Sequence, residues 1–181
     1  MFEKFSINKY KYLKYPKSGS MKELQELVAL NDIPLNSYYA NKFDKISPVF
    51  EQIFDKRKLV FPRQLIEELI VKSKPIILKI KNYHNRKRPN VSAKDFGIKV
   101  EQFFMSSAQT PSFPSGHSAQ AKLVANVLSD IYPIHTSEFQ QAAQNISNSR
   151  LAGHVHFKSD TDAGEKLGND LYSHYKEVLK N

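Results

Sequence analysis

Pro111-Ser112-Phe113-Pro114-Ser115-Gly116-His117-Ser118 is a loop that turns abruptly into a helix. Each proline disfavours helix at the residue before it. The run that follows sets Ala119, Leu123, Val124, Val127 and Leu128 at helical spacing. This predicts a helix over residues 116–130 that starts at Ser115 or just after it. Such an N-terminus carries unpaired N–H groups and a partial positive charge, so it can hold an anion. Gly116 allows close approach of a ligand to the backbone. Ser115 adds a hydroxyl, and His117 adds a group that can carry a proton near neutral pH.

Helical periods extend outward from this stretch in both directions. Ser20 with Glu23 fits a capping box, and the helix after it places Leu24, Leu27, Val28 and Leu30 on one face. Residues 35–46, with Tyr38, Tyr39 and Phe43, read as a short helix. Ser47-Pro48 opens another, with Val49, Ile53 and Phe54 inward. Pro62 suits a first helical turn, and Leu65, Ile66, Leu69 and Ile70 follow at helical spacing. Pro75 predicts a kink or a break between two helices, the second running to about Tyr83. Residues 85–99 read as polar and irregular, and residues 96–104 as a short helix or an extended segment.

Beyond Pro133 a helix is expected from about Thr136 to about Leu151, with Phe139, Ala142, Ala143 and Ile146 inward. The last helix begins near Ser159 to Asp162 and carries Ala163, Leu167, Leu171, Tyr175 and Val178. Residues 1–19 have no clear period. A short strand over Lys9-Tyr10-Lys11-Tyr12 and an irregular arm packed by its tyrosines fit equally well. Strand-like alternation is otherwise scarce, which points to an all-α, multi-helix bundle. A single domain is expected over residues 1–181, with 1–60 as a helical extension and 60–181 as the core.

Composition narrows the function classes. The chain is 40% hydrophobic and 25% charged, enough to bury a core. It has no cysteine, which excludes disulfides and thiolate metal sites. The first residues lack the apolar core of a secretory signal, and the longest apolar stretch, Ile76 to Ile80, is broken by Lys79. A soluble, cytoplasmic protein is the expectation. Residues 1–90 carry 19 Lys and Arg against 9 Asp and Glu, whereas residues 91–181 carry 8 against 9. A basic first half suggests an anionic partner: a phosphate ester, a nucleic acid or a lipid surface.

Three clusters could carry chemistry. The first, Lys81 to Pro89, gathers cations at the end of an apolar helix and by itself fits a basic C-terminal turn. The second is the opening stretch. The third, Ser149 to Asp160, puts Arg150, His154, His156 and Asp160 into one helix-to-helix turn. Asp160 could accept from one nitrogen of His156 and leave the other as an oriented nucleophile or base. Lys81, Arg88 and Arg150 supply the cations that a tetrahedral oxyanion needs. Phosphoryl transfer is mostly positioning and charge stabilisation, so the set suits it without a metal.

Lys81-x6-Arg88-Pro89, Pro114-Ser115-Gly116-His117 and Ser149-Arg150-x5-His156-x3-Asp160 resemble the three-part signature of the type 2 phosphatidic acid phosphatase (PAP2) superfamily. That superfamily includes bacterial class A acid phosphatases, lipid phosphate phosphatases and vanadium-dependent haloperoxidases. The resemblance spans roughly residues 60–170 and implies a helical bundle of the PAP2/vanadium haloperoxidase type, with the site at one end. It assigns catalysis to His156, His117 and Asp160: His156 attacks phosphorus, Asp160 orients it, and His117 protonates the leaving alcohol. It makes Lys81, Arg88, Ser115, Gly116 and Arg150 phosphate binders, with no metal and no cofactor.

Two positions depart from the pattern. Members often have Gly two residues before the nucleophile, where this chain has His154, a candidate for supporting the site from behind. Asn90 replaces the aromatic that often follows Arg-Pro in the acid phosphatases.

The leading expectation is a metal-independent phosphomonoesterase working through a phosphohistidine, on a phosphorylated small molecule or lipid. The alternatives are vanadate-dependent halide oxidation, with vanadate as a phosphate mimic, and metal hydrolysis through His154, His156 and Asp160 or Asp162. A last alternative is a basic module without catalysis. Lys9, Lys11, Lys14 and Lys17, interleaved with Tyr10, Tyr12 and Tyr15, could track a phosphate backbone. No recognised motif supports nucleic-acid binding. Peripheral membrane contact and a homo-oligomer are compatible with the basic surface.

Overall fold

A computed structural model describes residues 1–180. Among the described residues nine α-helices follow in order: α1 (Asn8–Lys11), α2 (Met21–Asn31), α3 (Ser37–Lys42), α4 (Ile46–Arg57), α5 (Arg63–His84), α6 (Pro89–Asp95), α7 (Gly116–Ile131), α8 (Thr136–Ala152) and α9 (Lys158–Lys180). There is no strand among the described residues, and the fold is the all-α bundle that the periodicities predict.

Helix α7 is central because a wide apolar face runs its whole length. Ala119, Ala121, Leu123, Val124, Ala125, Val127 and Leu128 are all buried, and Lys122, Asn126, Ser129 and Asp130 form the narrow polar stripe opposite. Helices α5, α8 and α9 pack around it. The approach of α9 to α7 is close. A Cβ on Gly164 would lie 2.4 Å from the Ser115 carbonyl, and one on Gly168 would lie 2.4 Å from that of Ala119. These two glycines, one turn apart, let the start of α9 sit directly on the start of α7. Phe2, Tyr10, Phe50 and Phe54 from the first 60 residues lie in the same core cluster as Leu69, Leu123 and Leu171.

Several local expectations change. Lys9 to Tyr12 is not a strand. Asn8–Lys11 forms one helical turn, with Tyr10 buried and its hydroxyl on Asp170. Val28 is half exposed, and only Leu27 and Leu30 of its face reach the core. Pro75 neither kinks the chain into two helices nor ends one: α5 runs from Arg63 to His84. Pro75 and Val71 are both exposed, so the carbonyl deprived of a donor faces water. One residue earlier, the Ile70 carbonyl accepts from Ser73 Oγ at 3.0 Å and Gln120 Nε2 at 2.9 Å. The stretch after Arg88 is not irregular but opens α6, with Pro89 at its first position. Residues 96–105 are irregular. No helix among the described residues is long and apolar enough to cross a membrane.

Candidate active site

The C-terminal end of α5 meets the N-terminal ends of α7 and α9. Ser115 N–H donates to the Asp160 carbonyl at 2.8 Å, tying the last two together. Lys81 lies on the last turn of α5. Asn85, at φ 45°, then turns the chain, and Arg88 caps α6. One short segment therefore presents two cations toward residues 110–112. Lys81 Nζ donates to the Pro111 and Ser112 carbonyls. Arg88 donates to the Thr110 carbonyl at 2.9 Å and the Val155 carbonyl at 2.6 Å.

His156 and Asp160 sit side by side and are almost wholly buried. His156 Nδ1 is 3.2 Å from Asp160 Oδ2, and Nε2 is 3.0 Å from an Arg88 nitrogen. A guanidinium can only donate. His156 Nε2 therefore presents its lone pair, and Nδ1 carries the proton given to Asp160. Ser112 Oγ and the Phe157 N–H also donate to Asp160 Oδ2. Arg86 donates to Oδ1 at 2.7 Å. Burial would raise the Asp160 carboxyl, but the His156 hydrogen bond, the charge of Arg86 and the Ser112 hydrogen bond outweigh it, leaving it well below the usual carboxylate range. Burial and the Arg88 charge hold the His156 ring well below its ordinary value, so it is neutral. Burial, then the neighbouring Arg88, lower Lys81 to about 7.

A second group faces the first. Ser115 caps α7, accepting from the Ser118 N–H at 3.3 Å, and its hydroxyl is inside the fold. His117, in the first turn of α7, donates from Nε2 to the Asp44 carbonyl at 2.9 Å. Arg150, on the last turn of α8, reaches Asp44 Oδ1 at 2.9 Å. Its remaining donors go to Ser149 Oγ and the Ala40 carbonyl. Burial and the Arg150 charge push the His117 ring well below its ordinary value, partly opposed by Asp44. A Cβ on Gly116 would lie 3.8 Å from Lys81 Cε, so the start of α7, which carries His117, borders the Lys81 side chain; the Lys81 charge lowers His117 and the Arg150 charge lowers Arg88.

His154 points elsewhere. Its ring nitrogens lie 2.8 Å from the Glu101 carbonyl and 2.7 Å from the Ile33 carbonyl. Asp162 is paired with Lys158 at the surface. His154, His156 and Asp162 do not converge, and among the described residues no three His, Asp or Glu side chains are grouped to hold a metal. His154 also has φ 53°, a left-handed conformation that suits glycine. The residue departs from the family's frequent Gly, but the backbone shape that favours Gly is present.

Residues 68–168 match the family model of the PAP2 superfamily. The chain belongs to this superfamily. Lys81 to Asp160, the whole candidate set, falls within the match. An acid phosphatase of Zymomonas mobilis is 36% identical over 84 residues, 46% of this chain and 31% of that protein. A non-specific acid phosphatase of Salmonella typhimurium is 33% identical over 88 residues, 49% of this chain and 35% of that protein. The chain thus spans about a third of the length of these curated relatives. The fold is also that of a transmembrane PAP2-type phosphatidylglycerolphosphate phosphatase from Bacillus subtilis, at TM-score 0.55 and 19% identity over 87% of this chain and 84% of that one.

Sequence reasoning missed Asp44, Arg86 and Ser112 as neighbours of this PAP2 site. Arg86 lay in plain view within the Lys81–Arg88 cluster, hidden by the reading of that cluster as a basic helix end. Asp44 carried no signal, since nothing in a lone surface-type Asp between two lysines points to a partner 106 residues away.

Proposed function

We propose that this PAP2 chain hydrolyses phosphate monoesters through a phosphohistidine at His156, without a metal. One observation carries the reading: a buried, neutral His156 held by Asp160 on one nitrogen and facing Arg88 with the lone pair of the other. The relatives named acid phosphatases support the reaction class.

The substrate's phosphoryl group takes the space between Lys81, Arg88 and Arg150, with the N-terminus of α7 donating backbone N–H groups. Arg88 moves from His156 Nε2 onto a phosphoryl oxygen. Nε2 attacks phosphorus, the N–P bond forms, and the P–O ester bond breaks as His117 gives its proton to the departing alkoxide. The proton on Nδ1 stays with Asp160, whose negative charge stabilises the ring as it becomes cationic. Water then attacks phosphorus, the N–P bond breaks, and His117 recovers a proton. The two or so negative charges of the bound phosphate favour protonation of His117, which is disfavoured in the free protein. Vanadate, in the same contacts, acts as a competing phosphate mimic.

The test is hydrolysis of an aryl phosphate with and without chelator, together with trapping of the phosphoenzyme. We expect turnover that chelator leaves unchanged and a phosphoenzyme that is stable to base and labile to acid. His156→Ala abolishes both. Wild-type turnover by His156→Ala would sink the mechanism. A panel of nucleotides, sugar phosphates and phosphatidic acid then identifies the leaving group.

A further inference from the structure

The Asp160 carboxylate has two oxygens with different tasks. Oδ2 receives His156 Nδ1, the Ser112 hydroxyl and the Phe157 N–H. Oδ1 receives Arg86. Arg86 is itself inside the protein, with its side chain 2% exposed. Its guanidinium lies 3.9 Å from the centre of the Phe157 ring and 4.7 Å from that of Tyr15. One terminal nitrogen reaches Asp160 Oδ1 and Ser159 Oγ, both at 2.7 Å; the other reaches Glu26 Oε2 at 2.9 Å. Glu26 in turn accepts from the Ser159 N–H at 2.9 Å and the Ser159 hydroxyl at 2.8 Å, capping the first turn of α9.

We propose that Arg86 is a positioning residue for the reaction, holding Asp160 ionised and aimed so that His156 keeps its proton on Nδ1, and that Tyr15 and Glu26 of the N-terminal segment hold Arg86 in place. The inference rests on the phosphohistidine reading given above. Neither Tyr15 nor Glu26 falls within the segment that matches the family, so the first 30 residues complete the site from outside it.

The physical reason is a carboxylate fully buried in the fold. Left without a cation, Asp160 would favour its protonated form, in which one oxygen becomes a donor instead of an acceptor. Its oxygen would then no longer dictate the histidine tautomer. A guanidinium meets the need where an ammonium does not. It is flat enough to lie between two rings, and its fork spans two carboxylates at once. The cost is visible: Arg86 Nε is buried without a hydrogen bond. A side chain present only for packing would not need to leave a polar atom unpaired.

The experiment compares wild type, Arg86→Gln, Arg86→Lys, Glu26→Gln and Asp160→Asn. It uses ¹⁵N-histidine NMR of His156 and pH profiles of kcat and kcat/KM. In wild type the NMR signal reports a proton on Nδ1 and a bare Nε2. Arg86→Gln and Asp160→Asn both shift it toward a mixture of tautomers, and Glu26→Gln shifts it the same way by less. Arg86→Gln lowers kcat about 10- to 100-fold with little change in KM, and its acid limb moves to higher pH as Asp160 loses its cation. Arg86→Lys restores the acid limb but only part of kcat. In the Asp160→Asn background, Arg86→Gln costs almost nothing further.

Unchanged His156 signals in Arg86→Gln, with Asp160→Asn shifted, would overturn the proposal; so would equal losses from Arg86→Gln in both backgrounds. Glu26→Gln keeps the test open if Arg86→Gln does not fold, and wild-type signals in that variant overturn the role of the N-terminal segment. The NMR arm needs no turnover, so a wild type inactive on phosphate esters defeats the phosphatase reading and leaves this one to be judged on its own.

Discussion

Arg88 donates to Nε2 of His156 at 3.0 Å, so the proposed phosphate binder covers the proposed nucleophile in the free protein. The pairing keeps the lone pair aimed at the place a phosphoryl oxygen would bring phosphorus. It also means that substrate must draw Arg88 away before attack. Arg88 can leave because its other bonds go to main-chain carbonyls of Thr110 and Val155, not to a carboxylate.

Arg88→Ala is therefore expected to lower kcat/KM on an aryl phosphate by about 10²–10³, the usual loss when a buried donor to developing charge is removed. The same change uncovers Nε2. Acylation of His156 by a histidine reagent, followed by peptide mapping, should run faster in Arg88→Ala than in wild type. Slower labelling would show that Arg88 does not shield the ring.

Lys81 sets a pH limit. Burial lowers its pKa to about 7, so it is charged below that pH and increasingly neutral above it. Only the charged form attracts phosphate. kcat/KM should fall as pH rises through about 7, because that ratio reports the free enzyme. Bound phosphate favours the charged form, so kcat should fall only at higher pH. Lys81→Arg keeps its charge throughout, and its profile should lose the alkaline limb near 7. An unchanged limb would assign it to another group.

Asp44 gives Arg150 a carboxylate in the free protein and places its carbonyl on His117. Burial works to raise its carboxyl, but bonds from Ser107 and Arg150 and the charge of Arg150 hold it below the ordinary range. It is an anion beside the space where a phosphate would bind, and two anions a few ångströms apart repel by kilocalories. Asp44→Asn should lower the inhibition constant of inorganic phosphate about tenfold. It should also lower kcat, because His117 loses a charge that favours its proton. Weaker phosphate inhibition would contradict this arrangement.

His154 separates backbone shape from side-chain bonding. Its left-handed φ of 53° costs any residue with a Cβ about 1 kcal/mol, and its ring spans two carbonyls. Both partners are carbonyls, and an imidazole with a single N–H donates to one of them, so His154→Ala keeps the strain and loses one bond, for an expected loss of about 1 kcal/mol. His154→Gly loses that bond but relieves the strain, and should be about 1 kcal/mol more stable than His154→Ala by urea unfolding. Because neither nitrogen faces the site, kcat in His154→Gly should stay within a few-fold of wild type.

Much of this was legible in the chain. Helical spacing located α7 and α8 to within a residue or two and the start of α9 to within about four, because an amphipathic helix writes its burial into local spacing. The same spacing failed at Pro75, since a proline on an exposed face leaves its orphaned carbonyl to water and the helix continues. It failed again at Arg88-Pro89, where a proline opens a helix instead of preventing one. His156 and Asp160, four residues apart on one turn, were a local pattern and could be paired from sequence.

What the sequence determined by itself was therefore the all-helical class and the residues within each motif, where neighbours along the chain are neighbours in space. Only the tertiary structure decided which groups outside the motifs complete the site. Gly164 and Gly168 bring α9 onto α7, and the chain's return sets Asp44 on Arg150 and Glu26 on Arg86. Such pairs have no period and no spacing rule. They arise when helices distant in sequence pack closely enough for buried charges to need partners, and that requirement exists only once the core has formed.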